Sequence, residues 1–167
     1  MTKMSGACWV YLTSTSTPQY FFHLGGQSGY PAKFSLQWDA GAVRSQVNGT
    51  EKNTGLTLNA NTWYHLAVTV DGSKARWYIN GVQSQEMDIS GTFTASNNFA
   101  IGARTAATDG NSFAYYITGN GKLNDVRIYN HCLSPKEVKE LSKGLVLHYP
   151  LNESSLATTG NLITGLT

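Results

Sequence analysis

Residues 61–81 of the chain, NTWYHLAVTVDGSKARWYING, predict a pair of antiparallel strands. Residues 63–70 are rich in aromatic and β-branched side chains and predict the first strand. The Asp-Gly-Ser at 71–73 predicts a reversal of chain direction, and residues 74–79 predict the second strand. Asp-Gly between two such runs is a strong hairpin signal, because glycine accepts a positive φ and aspartate tolerates it. The stretch therefore indicates an antiparallel sheet with one face on a core, and favours a binding sandwich over an α/β enzyme.

Other short stretches predict further strands, and turn residues separate nearly all of them. The predicted strands are residues 7–12, 20–24, 32–38, 41–47, 56–58, 63–70, 74–79, 98–103, 122–129 and 145–149. Many short strands with frequent turn signals are typical of a β-sandwich or barrel.

One short helix is predicted after the strand at 122–129. Ser134 stands at the N-cap position, Pro135 is the first helical residue, and Glu137 completes a capping box. Gly144 stands where a left-handed residue commonly ends a helix. We expect this helix to pack on an edge of the sandwich and to have no chemical role.

Composition limits the classes of function. The 167 residues are 41% hydrophobic and 13% charged, with a net charge of +2. This excludes a disordered chain and gives no support for nucleic-acid binding, because Lys and Arg are scattered. No apolar run reaches the roughly 18–20 residues that a membrane span needs. The first residues lack the pattern of a secretory signal, as expected of an excised fragment or of a virion component made in a host cytoplasm.

Three groups of residues resemble one family. They are WYHLAVTVDG at 63–72 with RWYING at 76–81, FAIGA at 99–103, and GKLNDVRIYN at 121–130 leading into LSPKEV at 133–138. In this order they resemble the bacterial and phage branch of the laminin-G-like, concanavalin A-like lectin and glucanase superfamily. The resemblance implies an all-β antiparallel jelly-roll β-sandwich with one short C-terminal helix.

The resemblance also suggests where the domain ends. Family members usually open with a strand like GLVLHYPL, which in this chain stands at residues 144–151. We therefore predict a domain over residues 1–151, in which 145–151 supplies the first strand by folding beside residues 123–129. Residues 152–167 are expected to be a linker or the start of a following domain.

The resemblance implies a non-catalytic recognition module that binds a glycan or a cell-surface ligand. It would belong to a larger bacterial surface protein or phage virion protein and work outside the cell. The alternative is a structural or assembly module that binds neighbouring protein subunits, and a glycoside hydrolase is a third, weaker possibility. One fold hosts many functions, so only the site can decide between them.

Sugar binding needs aromatic rings for stacking together with amide and carboxylate groups. The predicted ligand-binding residues are Trp38, Tyr30, Tyr115, Tyr116, Asn111 and Asp109. Four of them lie in the long segment 105–121, and over-long loops tend to be functional. Calcium is a possible cofactor, because oxygen ligands are frequent in this segment and Asp109 could supply a carboxylate.

The remaining chemistry-bearing residues are expected to be structural. Trp9, Trp63 and Trp77 are predicted to lie in the core, and His65 to be a packing histidine. Asp125 and Arg127 are two apart on one strand face, which favours an internal ion pair or hydrogen-bond network that fixes the sheet over a functional site.

Catalysis has weak support. Glu86 and Asp88 resemble two thirds of a hydrolase carboxylate motif, but glycine stands in place of the third acid, and both are expected to be solvated edge residues. Cys8 and Cys132 have no metal-ligand spacing. We expect two buried thiols, with a disulfide between the ends of the fold as the alternative.

Overall fold

The computed structural model of the protein describes residues 2–25, 33–90, 99–105, 113–114, 116–117 and 120–144. In this part of the chain two five-stranded antiparallel sheets form a sandwich, with a two-stranded ribbon and one short helix. The predicted all-β class is confirmed.

The strands are short and follow one another closely. They are β1 (Met4–Leu12), β2 (Gln19–Leu24), β3 (Phe34–Asp39), β4 (Ala42–Val47), β5 (Thr50–Asn53), β6 (Trp63–Val70), β7 (Lys74–Ile79), β8 (Val82–Asp88), β9 (Phe99–Ile101), β10 (Arg104–Thr105), β11 (Phe113–Ala114) and β12 (Gly121–Tyr129), followed by the helix α1 (Pro135–Leu141). The first sheet has the order β12-β1-β6-β7-β8, the second has β5-β4-β3-β2-β9, and β10 pairs with β11.

The hairpin at residues 63–79 forms with the predicted bounds as β6 and β7. Its turn is held by Asp71, whose Oδ1 accepts hydrogen bonds from the backbone N–H groups of Ser73 and Lys74 at 2.9 and 2.8 Å. Its Oδ2 lies 2.7 Å from Arg76. These bonds to the charged carboxylate hold the pKa of Asp71 well below its usual range.

The edge strands β5 and β8 and the short ribbon strands β10 and β11 were not predicted, and one predicted strand is absent. β5 and β8 are polar edge strands with exposed side chains, so neither shows the alternation that marks a half-buried strand. Residues 56–58 are not a strand, although the carbonyl of Leu56 accepts a hydrogen bond from Val43 and Leu58 is buried. The hydrophobicity of residues 56–58 therefore reflects contact with the core and not the pairing of a strand in a sheet.

The core lies between the sheets and is built by alternate residues of their central strands. Its largest members are Phe21, Phe22, Phe34, Leu36, Trp38, Leu66 and Trp77. Cys8 is fully buried among them, and burial raises the pKa of its thiol. Cys8 and Cys132 are both free thiols, as expected, but Cys132 is only partly buried.

The helix forms as predicted, but it lies on the outer face of the first sheet and not on an edge. Ser134 caps it with a complete capping box, and Gly144 follows with φ +70°. Val138 packs into a small cluster with Ala7 and Ala67, whose short side chains leave room for it. Among the described residues no helix is long and apolar enough to cross a membrane.

One buried hydroxyl ties the helix to the sheet. The Ser5 hydroxyl on β1 donates to the carbonyl of His131 at 2.8 Å and accepts from the N–H of Leu133 at 2.9 Å. The residue before the helix cap is thus fixed to the strand over which the helix lies. These bonds fix the N-terminal side of the helix relative to β1.

We expect the Gly6→Ala variant to be destabilised by about 1–3 kcal/mol, the usual cost of overpacking a core. A Cβ at Gly6 would stand 2.6 Å from Phe22 and 2.8 Å from Phe34, two stacked core rings. Urea unfolding measures the change, with Val82→Ala as the control, because Val82 is 67% exposed. Equal stability of the two variants would contradict this packing.

The strand proposed at residues 145–151 lies outside the described residues, so it stays a prediction. β12 ends the strand order of the first sheet, and no strand in the described part pairs with its other edge. An open edge promotes association with other chains. We expect removal of residues 145–167 to lower the melting temperature and increase aggregation. Unchanged melting and unchanged elution from a sizing column would refute the assignment.

Candidate functional site

The outer face of the first sheet carries aromatic side chains in two neighbouring cross-strand rows. Core residues such as Val10 and Leu66 alternate with side chains that point away from the core. Tyr11 on β1 pairs with Trp63 on β6, and their rings lie 5.4 Å apart between centroids. Two residues along, Trp9 pairs with His65. Rings of two adjacent strands therefore share one face beside the helix.

A cavity of about 670 Å³ opens on this face, and we call it the tryptophan pocket. Its lining includes Trp9 and Trp63, the β12 residues Asn124, Asp125 and Arg127, and the end of α1 through Gly144. Trp63 is 41% exposed, whereas Trp9 is partly buried. The pocket thus combines aromatic surface with an amide, a carboxylate and a guanidinium, which is the usual make-up of a site for a small polar ligand.

An ion pair stands on the β12 side of the pocket. The pairing of β12 with β1 shifts register between Ala7 and Trp9, and Asp125 at this irregularity has φ +49°. Its Oδ1 lies 2.6 Å from Nε of Arg127, and this hydrogen bond raises the pKa of the guanidinium. The predicted ion pair forms, but it is not internal. It is half exposed at the pocket. β-bulges often redirect side chains next to functional sites.

The helix forms the opposite wall of the pocket. Glu140 lines it, and its carboxylate accepts hydrogen bonds from Nζ of Lys143 at 2.9 Å. This bond to the ammonium group lowers the pKa of Glu140. Gly144 lies close to the indole of Trp9, because a Cβ added there would meet the ring at 3.8 Å. The helix end therefore sets the width of the pocket next to Trp9.

His65 lies beneath this surface as a packing residue. It is buried and meets Trp9 edge-on, with 5.5 Å between ring centroids. The prediction of a packing histidine is confirmed, although its Nδ1 has no hydrogen-bond partner in the described part. Burial lowers the pKa of His65 to about 4, so the ring that supports Trp9 is neutral at pH 7.

The tryptophans are distributed differently from the prediction. Trp77 lies in the core as expected. The prediction for Trp63 is wrong, because the ring is on the outer face at the start of β6 and is substantially exposed. Trp9 is also on the outer face and is only partly covered. The alternation of side chains along a strand, with a period of two residues, separates its two faces but does not indicate which face is covered.

The predicted ligand-binding residues are not brought together in the described part of the chain. Trp38 is in the core, 3% exposed, and its indole N–H donates to the carbonyl of Thr15 at 3.0 Å. A ring without an exposed face cannot stack on a sugar, so Trp38 is not part of the proposed site. Tyr30, Asp109, Asn111 and Tyr115 lie outside the described residues.

Tyr116 is exposed on a second surface, which we call the β9 groove. Its lining includes Phe99, Ile101, Tyr116 and Ile117 around about 420 Å³. Phe99, Ile101 and Tyr116 are all substantially exposed, and β9 is the last strand of the second sheet. The described lining carries no charged side chain. This surface fits an apolar partner better than a sugar.

The outer face of the second sheet is polar and largely covered. Tyr20, Gln37 and Arg44 form one cross-strand row, and Tyr20 and Gln37 are buried. Burial raises the pKa of Tyr20, and a hydrogen bond with Gln37 opposes this rise. Arg44 is paired with Glu51 at 2.6 Å. The described part of this face lacks an exposed ring.

The described residues also bear on metal binding and catalysis. They contain no group of three or more His, Cys, Asp or Glu that could hold a metal. Because Asp109 is outside them, calcium binding stays a prediction. Glu86 and Asp88 lie on the edge strand β8, and both contact Nζ of Lys74, at 2.9 and 3.0 Å. This shared cation is consistent with the expected role as solvated edge residues.

Comparison with known families supports the fold. The family model described as the concanavalin A-like lectin/glucanases superfamily matches residues 2–139. No curated protein sequence matches the chain.

Three of the solved structures with a similar fold are compared with this chain. A protein from Bacteroides ovatus assigned to carbohydrate binding shares 19% identity at a TM-score of 0.64 over 83% of this chain and 40% of its own. The receptor-binding domain of botulinum neurotoxin type G shares 15% at 0.58, over 86% and 38%. Domain 4 of AbnA, a GH43 extracellular arabinanase from Geobacillus stearothermophilus in complex with arabinotriose, shares 24% at 0.57, over 84% and 66%. This chain thus spans less than two thirds of each.

We expect the stability of the protein to fall as the pH is lowered from 6.5 towards 4. Burial lowers the pKa of both His65 and His23 to about 4, so the unfolded chain takes up protons that the native state does not bind. Each histidine contributes a slope of up to about 1.4 kcal/mol per pH unit in this window. The stabilisation is fully present above pH 6.5.

The measurement is chemical unfolding at several pH values between 7.5 and 4. The His65→Gln variant should show a shallower decline than the wild type, and His23→Gln should remove the other share. Slopes that are identical in all three proteins would contradict the neutral, buried state of these rings.

Proposed function

Because the chain belongs to the concanavalin A-like lectin/glucanases superfamily, we propose that it is a carbohydrate-recognition module whose ligand binds in the tryptophan pocket. The module would be non-catalytic and would serve a larger bacterial surface protein or phage virion protein outside the cell.

The observation that carries this proposal is the exposed ring of Trp63 beside polar groups. A monomeric protein gains little from leaving an indole 41% exposed next to a partly open cavity. Sugars present C–H faces that stack on aromatic rings and hydroxyls that need hydrogen bonds. Trp63 and Trp9 offer rings for stacking. Asn124, Asp125 and Arg127 offer groups that can form hydrogen bonds with the hydroxyls.

The electrostatics of the pocket favour binding over hydrolysis. A glycosidase needs one carboxylic acid with a raised pKa as proton donor beside a second carboxylate. Glu140 and Asp125 both line the pocket, but each is held by a cation, Lys143 and Arg127 respectively. The pKa of Glu140 is lowered, which is the opposite of what a general acid requires. Paired carboxylates of this kind can still accept hydrogen bonds from sugar hydroxyls.

The descriptions of the three structural neighbours compared above include binding roles or a bound sugar. One is assigned to carbohydrate binding, one is a toxin's receptor-binding domain, and one holds arabinotriose. They support recognition as the general role of this chain, and the pocket supports carbohydrate as the ligand.

A second candidate function is supported by the β9 groove. Its exposed apolar residues include Phe99 and Ile101 on β9, the last strand of the second sheet in the described part, and Tyr116 in the lining of the same groove, where a neighbouring subunit could dock. In this case the chain would be an assembly or spacer module and should associate with itself or with a partner protein.

A glycan-array screen of the purified domain tests the proposal. We expect binding to a defined set of glycans, and we expect Trp63→Ala to weaken it at least tenfold because stacking on the ring is lost. Val82→Ala is the matched control, since it also removes an exposed apolar side chain from the first sheet. Thermal unfolding of both variants checks that each is folded.

Two further arms separate the alternatives. Loss of binding in Tyr116→Ala but not in Trp63→Ala would move the site to the β9 groove and its neighbouring loop. Loss of binding in EDTA that calcium restores would support a calcium ligand such as Asp109. A folded protein that binds no glycan but elutes as an oligomer, and becomes monomeric in Ile101→Ser, would favour the assembly function.

A further inference from the structure

We propose that the tryptophan pocket has a second aromatic subsite at Tyr11, so that its ligand is an oligosaccharide of at least two sugar rings. This inference rests on the proposed function, because it specifies the ligand of the same site. It assigns a binding role to Tyr11 and Lys122, which do not line the pocket itself.

The first argument is the arrangement of the rings. Trp63 belongs to two groups at once, since it lines the pocket and also pairs with Tyr11 across β1 and β6. Trp9 and Trp63 are diagonal neighbours on these strands, about 7–8 Å apart between Cβ atoms. Trp9 and Tyr11 are two residues apart on one strand, about 7 Å. Three rings at these separations offer more stacking surface than one pyranose can cover.

The second argument is that each subsite has polar groups of its own. Beside Trp9 stand Asn124 and the pair formed by Asp125 and Arg127. Beside Tyr11, Nζ of Lys122 lies 5.6 Å from the ring centroid. The Tyr11 hydroxyl donates to Oδ1 of Asn61 at 3.2 Å. A sugar stacked on Trp9 would find hydrogen-bonding partners within reach, and a sugar stacked on Tyr11 would displace the Lys122 ammonium from over the ring and accept a hydrogen bond from it.

The third argument is the position of the helix. Glu140 and Leu141 of α1 line the pocket beside Trp9, and the helix covers Ala7 and Ala67 beyond it. On this side the helix blocks further extension of a ligand. Tyr11, Lys122 and Trp63 form the row one step further from the helix. A chain end held near Trp9 would thus continue over Tyr11.

The test compares ligand length. The probes are glucose, N-acetylglucosamine, mannose, galactose and arabinose, each as the monosaccharide and as its linear oligomers of two to four units. Quenching of tryptophan fluorescence and calorimetry report binding. We expect at least one disaccharide or longer oligomer to bind about tenfold more tightly than its own monosaccharide, as one further stacked ring would give.

Variants at Tyr11 decide whether the second subsite provides this gain. Tyr11→Ala should reduce the affinity for the oligomer to that of the monosaccharide, whereas Tyr11→Phe, which keeps the ring, should retain most of the gain. Val82→Ala should bind like the wild type. Because Tyr11 points outward and is only partly buried, both Tyr11 variants are expected to fold, and thermal unfolding verifies this.

The possible failures are distinguishable. Equal affinity for monosaccharide and oligomer, with Tyr11→Ala unchanged and Trp63→Ala impaired, would overturn the second subsite and leave the proposed function standing. A length-dependent gain that persists in Tyr11→Ala would also overturn it. No binding to any probe or array glycan by a folded protein would overturn the inference and the proposed function together.

Discussion

The register between β1 and β6 is the constraint on which the rest of the structure depends. It sets Ala7 beside Ala67. Two residues further along β1 it sets Trp9 beside His65, and two residues beyond that it sets Tyr11 beside Trp63. A slip of one residue would send every ring into the core and every core side chain to the surface. Because the core side includes Val10 and Leu66, burial strongly opposes such a slip. The same pairing that builds the sandwich therefore fixes the aromatic surface.

The helix converts this surface into a pocket. The small side chains of Ala7 and Ala67 accept Val138, so α1 can lie close to the sheet, and the buried Ser5 hydroxyl fixes the segment before its cap. In the next row, the larger ring of Trp9 lies close to Gly144, just beyond the end of the helix. Side-chain volume along two strands thus decides which part of the face is closed and which part stays open.

Local signals in the sequence were sufficient for the hairpin and the helix but not for the site. The Asp71 turn and the Ser134 cap depend on residues within four positions, so their patterns can be read directly. The exposure of Trp63 depends on where a helix more than seventy residues later is placed, which no local pattern contains. The polar edge strands β5 and β8 escaped prediction for a related reason. Pairing to a neighbour, not hydrophobic alternation, makes them strands.

The two outer faces of the sandwich differ in what remains available to a ligand. On the second sheet, Tyr20 and Gln37 are buried and in contact, and Arg44 is paired with Glu51. A ligand there would have to displace these contacts, and the loss of each would offset its own binding. On the first sheet, a ligand that stacks on an exposed ring displaces only water and breaks no contact within the protein. The difference in free energy therefore favours the face beside the helix as the one that recognises a ligand.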